Sequence, residues 1–191
     1  MFALHARYRG RDVHRAETVQ QAAKALATLE GVHEFTIQGA EDMVTIIDNP
    51  ETVADTTMAL LSVGDWAVGL GITSSEDIER AYSVAAQALG RTARPGTVRA
   101  RLDSRGPEAK TLASDIAGAF VMINFILSKR TDEGREATSL MRSGLTQNEA
   151  AAELGITKQA MSQRLQAAGW TAEQAGWSVA VHLIERATLV V

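Results

Sequence analysis

The sequence predicts an α+β fold: a ferredoxin-like sheet layer over residues 1–103, followed by an all-α domain over 104–191 that holds a helix-turn-helix at 146–169. Three observations carry this. Strand-like and helix-like stretches alternate as βαββαβαβ through the first 103 residues, only helical periods follow, and residues 146–169 hold two short capped helices around a glycine.

The elements follow in order. Phe2, Leu4, Ala6 and Tyr8 alternate with Ala3, His5, Arg7 and Arg9, which is a period-two strand with a basic outer face. Residues 15–30 are helical and stop at Gly31. His33–Gln38 and Met43–Asp48 are β-rich runs around Gly39-Ala40-Glu41-Asp42, a hairpin signal. Asn49-Pro50 opens a helix to about Ser62, with Pro50 where a helix tolerates it. Trp66–Ile72 is an apolar strand whose Gly69 and Gly71 predict a second backbone lying close by. Ser74 and Ser75 are expected to begin a helix reaching Leu89, and Thr97–Asp103 alternates as a fifth strand.

Helices on one side of this sheet would leave its other face open. His5, Arg7, Arg9, Arg99 and Arg101 would then project together as an anion site, for a phosphate-bearing small molecule or an acidic partner surface.

Residues 103–107 read as the linker. The helix beyond it contains a twelve-residue apolar run, Ile116–Leu127, broken by Asn124. That run is too short to span a membrane and too apolar all round for a surface helix, so a central core helix is expected. Thr131 or Asp132 caps a support helix to Arg142. Thr171 is expected to cap the last helix, and the tail Leu189-Val190-Val191 reads as a dimer contact.

The most informative stretch is 146–169. Thr146 caps a helix with Glu149 three residues on, as a capping box requires. Ala150, Ala151 and Leu154 form an apolar face, Gly155 ends the helix at a positive φ, and Ile156 plugs the corner. Thr157 caps a second helix whose buried stripe is Met161, Leu165 and Ala168. Lys158, Gln159, Ser162, Gln163, Arg164 and Gln166 are left outward as donors and acceptors suited to base edges in a major groove, with Thr146, Gln147 and Thr157 at helix starts facing phosphate. Double-stranded DNA is the expected partner.

The run "QAMSQRLQAAGW" after "LTQNEAAAELGIT" resembles the C-terminal module of the SatD-type family of helix-turn-helix regulators. No hairpin signal follows Trp170, so a wing of the MarR kind is not expected. The resemblance implies an N-terminal domain similar to the palm of nucleotide cyclases, in which carboxylates after the first strand and in the next hairpin hold two divalent ions. In "ALHARYRGR", Arg7 stands at the acidic position, and Gly39-Ala40-Glu41-Asp42 replaces the family's Gly-Asp-Glu-Phe hairpin. A cation at Arg7 repels a metal, so the expectation is a degenerate palm with no catalytic residue, metal or cofactor.

Composition sets the outer limits. A hydrophobic share of 46% with 22% charged residues fits a globular chain, and the absence of cysteine removes disulfides and thiolate chemistry. The four histidines lack the i, i+4 spacing of a helical zinc site. With no signal-like start or membrane span, the expected location is the cytoplasm. Residues 104–191 carry nine Lys/Arg against nine Asp/Glu. A neutral module neutralises few phosphates, so a homodimer is expected, with Lys129, Arg130, Arg135, Arg142, Lys158 and Arg164 gathered on one face. The rival classes are a metal-dependent nucleotide-processing enzyme of the cyclase-palm type and a structural adaptor that binds no DNA.

Overall fold

The computed structural model describes residues 1–191 as five strands and eight helices. The first part comprises β1 (Phe2–Tyr8), α1 (Arg15–Leu26), β2 (Thr36–Gln38), β3 (Asp42–Ile47), α2 (Pro50–Val63), β4 (Trp66–Ile72), α3 (Ile78–Leu89) and β5 (Val98–Leu102). Helices α4 (Pro107–Ser128), α5 (Asp132–Arg142), α6 (Gln147–Glu153), α7 (Lys158–Ala167) and α8 (Trp170–Ala187) follow. The strands form one mixed sheet in the order β2-β3-β1-β4-β5. Its pairs are antiparallel except β4 with β5, and that parallel pair uses α3 as its crossover.

Alternation along β1 sorts its side chains between two faces. Phe2, Leu4, Ala6 and Tyr8 enter a core of 33 buried residues shared with α1, α2, α4 and α8. Ala3 faces the other way and packs with Ile46 beneath Ala81 and Ala85 of α3. The second face is therefore covered, contrary to the open face the sequence predicts. Gly69 and Gly71 are what admit the helix: a Cβ at 69 would lie 2.4 Å from the Ala85 carbonyl oxygen, and one at 71 would lie 2.6 Å from the Ala85 nitrogen. The close backbone expected at these glycines is α3.

Helix starts follow the side chains that cap them. The Asn49 side chain accepts from the Thr52 amide ahead of Pro50 and starts α2 as expected. α3 begins later than Ser74-Ser75, because Thr73 and Ser75 spend their hydroxyls on a turn and Asp77 provides the cap, accepting from the Glu79 amide. α8 begins at Trp170, behind Gly169 at φ 69, so Thr171 lies in its first turn rather than capping it.

Helix α4 runs for 22 residues and is long and apolar enough, by length and composition alone, to cross a membrane. Here Leu112, Ile116, Phe120, Ile123 and Leu127 recur at three- and four-residue spacing and are buried in the main core. Its opposite side is open: Val121 is 60%, Met122 61% and Phe125 66% exposed. Only one face of the expected central helix is thus buried, because α8 and β5 leave its back uncovered. The C-terminal tail turns inward, with Val190 and Val191 against the main core, while Leu189 is exposed. The tail as a whole is therefore not an outward apolar surface.

Candidate nucleic-acid interface

The α6–α7 pair is fixed locally before it is fixed by packing. Thr146 and Glu149 close a capping box: the Glu149 amide donates to the Thr146 hydroxyl, while the Thr146 amide and hydroxyl both donate to the Glu149 carboxylate. Those hydrogen bonds, the hydroxyl's first, hold the Glu149 carboxyl below the usual range. Gly155 sits at φ 63 and turns the chain, and the Thr157 hydroxyl accepts from the Ala160 amide to start α7.

Both helices then close a small core of their own. Ala150 and Ala151 of α6 meet Met161 and Leu165 of α7 over Ala137 of α5, with Leu140, Met141, Leu145, Leu154, Ile156 and Trp170 at the edges. Ala side chains permit the close approach of α6 to its neighbours, and burying Met161 and Leu165 contributes about 1.5–3 kcal/mol each. Every apolar position expected in this stretch faces inward.

The outer face carries Lys158, Gln159, Ser162, Gln163 and Gln166, all exposed. Gln159, Ser162, Gln163 and Gln166 fall at i, i+3, i+4 and i+7, one row along α7. Gln147 of α6, Ser162 and Gln166 line one open cleft together with Trp170, so the structure brings these three together. Thr146 and Thr157 stand at the two helix starts with their hydroxyls committed to caps. Arg164 is half-buried on the flank, 3.8 Å from the Glu136 carboxylate.

The six cations do not gather on one face beside α7: Arg130, Arg135 and Arg142 stand apart around a cavity between α2, α4 and α5. Arg130 is buried: its guanidinium donates to the Ala168 carbonyl at 2.8 Å, to the Thr138 hydroxyl and to Glu173. Arg142 donates to the other oxygen of the same carboxylate, and Arg135 donates to the Ser62 carbonyl. Glu173 thus ties the first turn of α8 to the end of α5 and to the segment after α4. No local pattern reveals this, since the partners lie 31 and 43 residues apart.

The basic residues of β1 are also spoken for. The buried His5 places Nε2 2.6 Å from an Asp42 carboxylate oxygen, and Arg7 Nε donates to that oxygen at 2.6 Å. Burial pushes the His5 imidazole below its ordinary value, so we assign it as neutral, with Nε2–H donating to Asp42. Arg9 and Arg15 hold the two oxygens of Glu41, and Arg99 reaches the Leu89 carbonyl at 3.5 Å. The five cations expected together on this face are divided: α3 covers β1, the hairpin carboxylates take Arg7 and Arg9, and Arg99 and Arg101 stay exposed on the wall of a separate cavity beside α4.

No protein-family model and no curated protein matches the chain. Among solved structures, a regulator of polyketide synthase expression from Bifidobacterium adolescentis aligns over 98% of this chain and 79% of its own, at 16% identity and a TM-score of 0.28. A likeness that slight bears on neither fold nor function.

Proposed function

We propose that the chain is a sequence-specific DNA-binding regulator in which α6 and α7 form a helix-turn-helix and α7 enters the major groove. The single observation that supports this most is the row of exposed polar side chains on α7, Lys158, Gln159, Ser162, Gln163 and Gln166, held over a fully apolar underside. Gln147 at the start of α6 is the phosphate donor in this reading, since Thr146 is occupied by Glu149. The strand order β2-β3-β1-β4 with antiparallel neighbours supports a ferredoxin-like description of the N-terminal layer. A non-catalytic role for that layer is supported by Arg7 and His5 on Asp42 and by Arg9 and Arg15 on Glu41, which leave both hairpin carboxylates neutralised.

The test is selection of bound genomic fragments, followed by footprinting with Lys158→Ala, Gln159→Ala and Ser162→Ala. Each is expected to lose about 1–3 kcal/mol of sequence-specific affinity with its thermal midpoint unchanged. Footprints preserved in all three variants would remove α7 as the reading helix.

The protein is expected to act as a homodimer on an inverted repeat with half-sites about one helical turn apart. Residues 131–170 hold four Lys/Arg against five Asp/Glu, so one copy neutralises few phosphates. Two-fold pairing doubles both base and phosphate contacts. The apolar side of α4, with Val121, Met122 and Phe125, is the surface for it, in place of the tail. Phe125→Glu should shift the sedimentation profile to the monomer; an unchanged profile assigns pairing to another surface.

A further inference from the structure

A cavity of about 220 Å³ opens between the C-terminal ends of α2 and α4 and the inner side of α5. Its wall is almost wholly polar: Arg130, Arg135 and Arg142, the hydroxyl residues Ser62, Thr138 and Ser139, and Leu127 as the one apolar member. Three arginines line it, and the only carboxylate bonded to any of them is Glu173, which pairs with Arg130 and Arg142 from α8. Arg135 has no carboxylate partner; its contact is the Ser62 carbonyl. The Arg130 guanidinium lies below its ordinary value, first through burial, then through the charges of Arg142 and Arg135, against the opposing pull of Glu173. Like charges held this close lower the stability of the free protein and favour an anion between them.

We propose that this cavity binds a small anion bearing a phosphoryl group. A carboxylate presents two oxygens in one plane, whereas the donors here stand at separate heights: Arg135 and Arg142 two turns apart on α5, the Ser139 hydroxyl between them, and the buried Arg130 adding its charge from behind. A tetrahedral oxyanion meets donors so arranged, and guanidinium forks suit its edges. The volume admits a phosphate or a phosphate monoester head and excludes a polymer. Because α2 belongs to the sheet layer and α5 supports α6 and α7, an anion here bridges the two parts of the chain.

The test uses the full chain without DNA, so it stands or falls separately from the DNA-binding reading. Titration calorimetry with inorganic phosphate, pyrophosphate and adenosine monophosphate at low salt is expected to show saturable one-to-one binding, with a matching rise in the thermal midpoint. Arg135→Gln should weaken that binding by about tenfold or more, since it deletes the charge no carboxylate balances. Its side chain is exposed and makes one carbonyl contact, so the fold survives the change. Tighter binding of the monophosphate than of inorganic phosphate identifies an ester ligand, and equal binding identifies free phosphate. Absence of saturable heat with all three probes, or equal affinity in Arg135→Gln, overturns the proposal.

Discussion

Replacing Glu173 with alanine is expected to destabilise the protein by about 3–5 kcal/mol, the cost of leaving a buried charge unpaired. The carboxylate is buried and accepts from two arginines, one of which, Arg130, is itself buried. Without it, the Arg130 guanidinium keeps its bonds to the Ala168 carbonyl and the Thr138 hydroxyl but loses its counter-charge. Arg142 is exposed and can turn to water, so most of the loss falls on Arg130. For a chain of this length each kcal/mol lowers the thermal midpoint by roughly 2–4 °C, so a drop of about 10 °C is the expected reading. Glu173→Gln keeps the shape and part of the hydrogen bonding, and its loss should be smaller. A midpoint within about 1 °C of the parent in Glu173→Ala would mean that solvent reaches Arg130 and that the pair adds nothing to stability.

The loss should be felt first where α7 meets α8. Arg130 holds the carbonyl of Ala168, the C-cap of α7, and Glu173 lies one turn into α8, so the network sets the angle at Gly169 between them. Hydrogen exchange in α5–α7 is therefore expected to rise more than in the sheet layer, where the amides of β1 are bonded on both sides.

Much of this arrangement is legible in the sequence, and the reasons are local. Trp66–Ile72, Pro50 behind Asn49, and the capped α6–α7 pair declare themselves through alternation, a helix-compatible proline, and the Thr146–Glu149 and Thr157 caps. What the sequence does not disclose depends on distant partners. Period-two alternation places His5, Arg7 and Arg9 on one face, but nothing in it says that α3 will cross there or that Asp42 lies opposite Arg7 in the register. The basic residues of the C-terminal half invite a reading in which they face the DNA backbone beside α7, yet Arg130 and Arg142 are drawn to Glu173, far along the chain. The apolar run of α4 signals burial without signalling which side is buried, and Val121, Met122 and Phe125 emerge as exposed only once α8 and β5 have taken their places.

Gly69 marks a close approach of two backbones, and that contact supplies the second large effect. Gly69→Ala should destabilise the protein by at least the roughly 1–3 kcal/mol of an ordinary overpacked site. The new methyl would lie 2.4 Å from the Ala85 carbonyl oxygen, 2.7 Å from Leu89 Cβ and 2.8 Å from the Leu89 nitrogen. Two of these are helix backbone atoms that no rotamer change can move aside, so relief requires α3 to lift from the sheet. That lift would open the small clusters of Ala3, Ile46, Ala81 and Ala85 and of Ala67, Leu89 and Ala93, exposing the buried His5–Asp42 pair beside them. Gly118→Ala is the control with the opposite sign. Gly118 is exposed within α4 and a Cβ there meets nothing within 4 Å, so alanine should stabilise by about 0.5–1 kcal/mol through helix propensity; because Gly118 shares the side of α4 proposed for pairing, this control is made in the Phe125→Glu background. Thermal melts of the two variants, each beside its own background, decide the matter: if Gly69→Ala melts at or above the parent temperature, α3 does not rest on the strand as described.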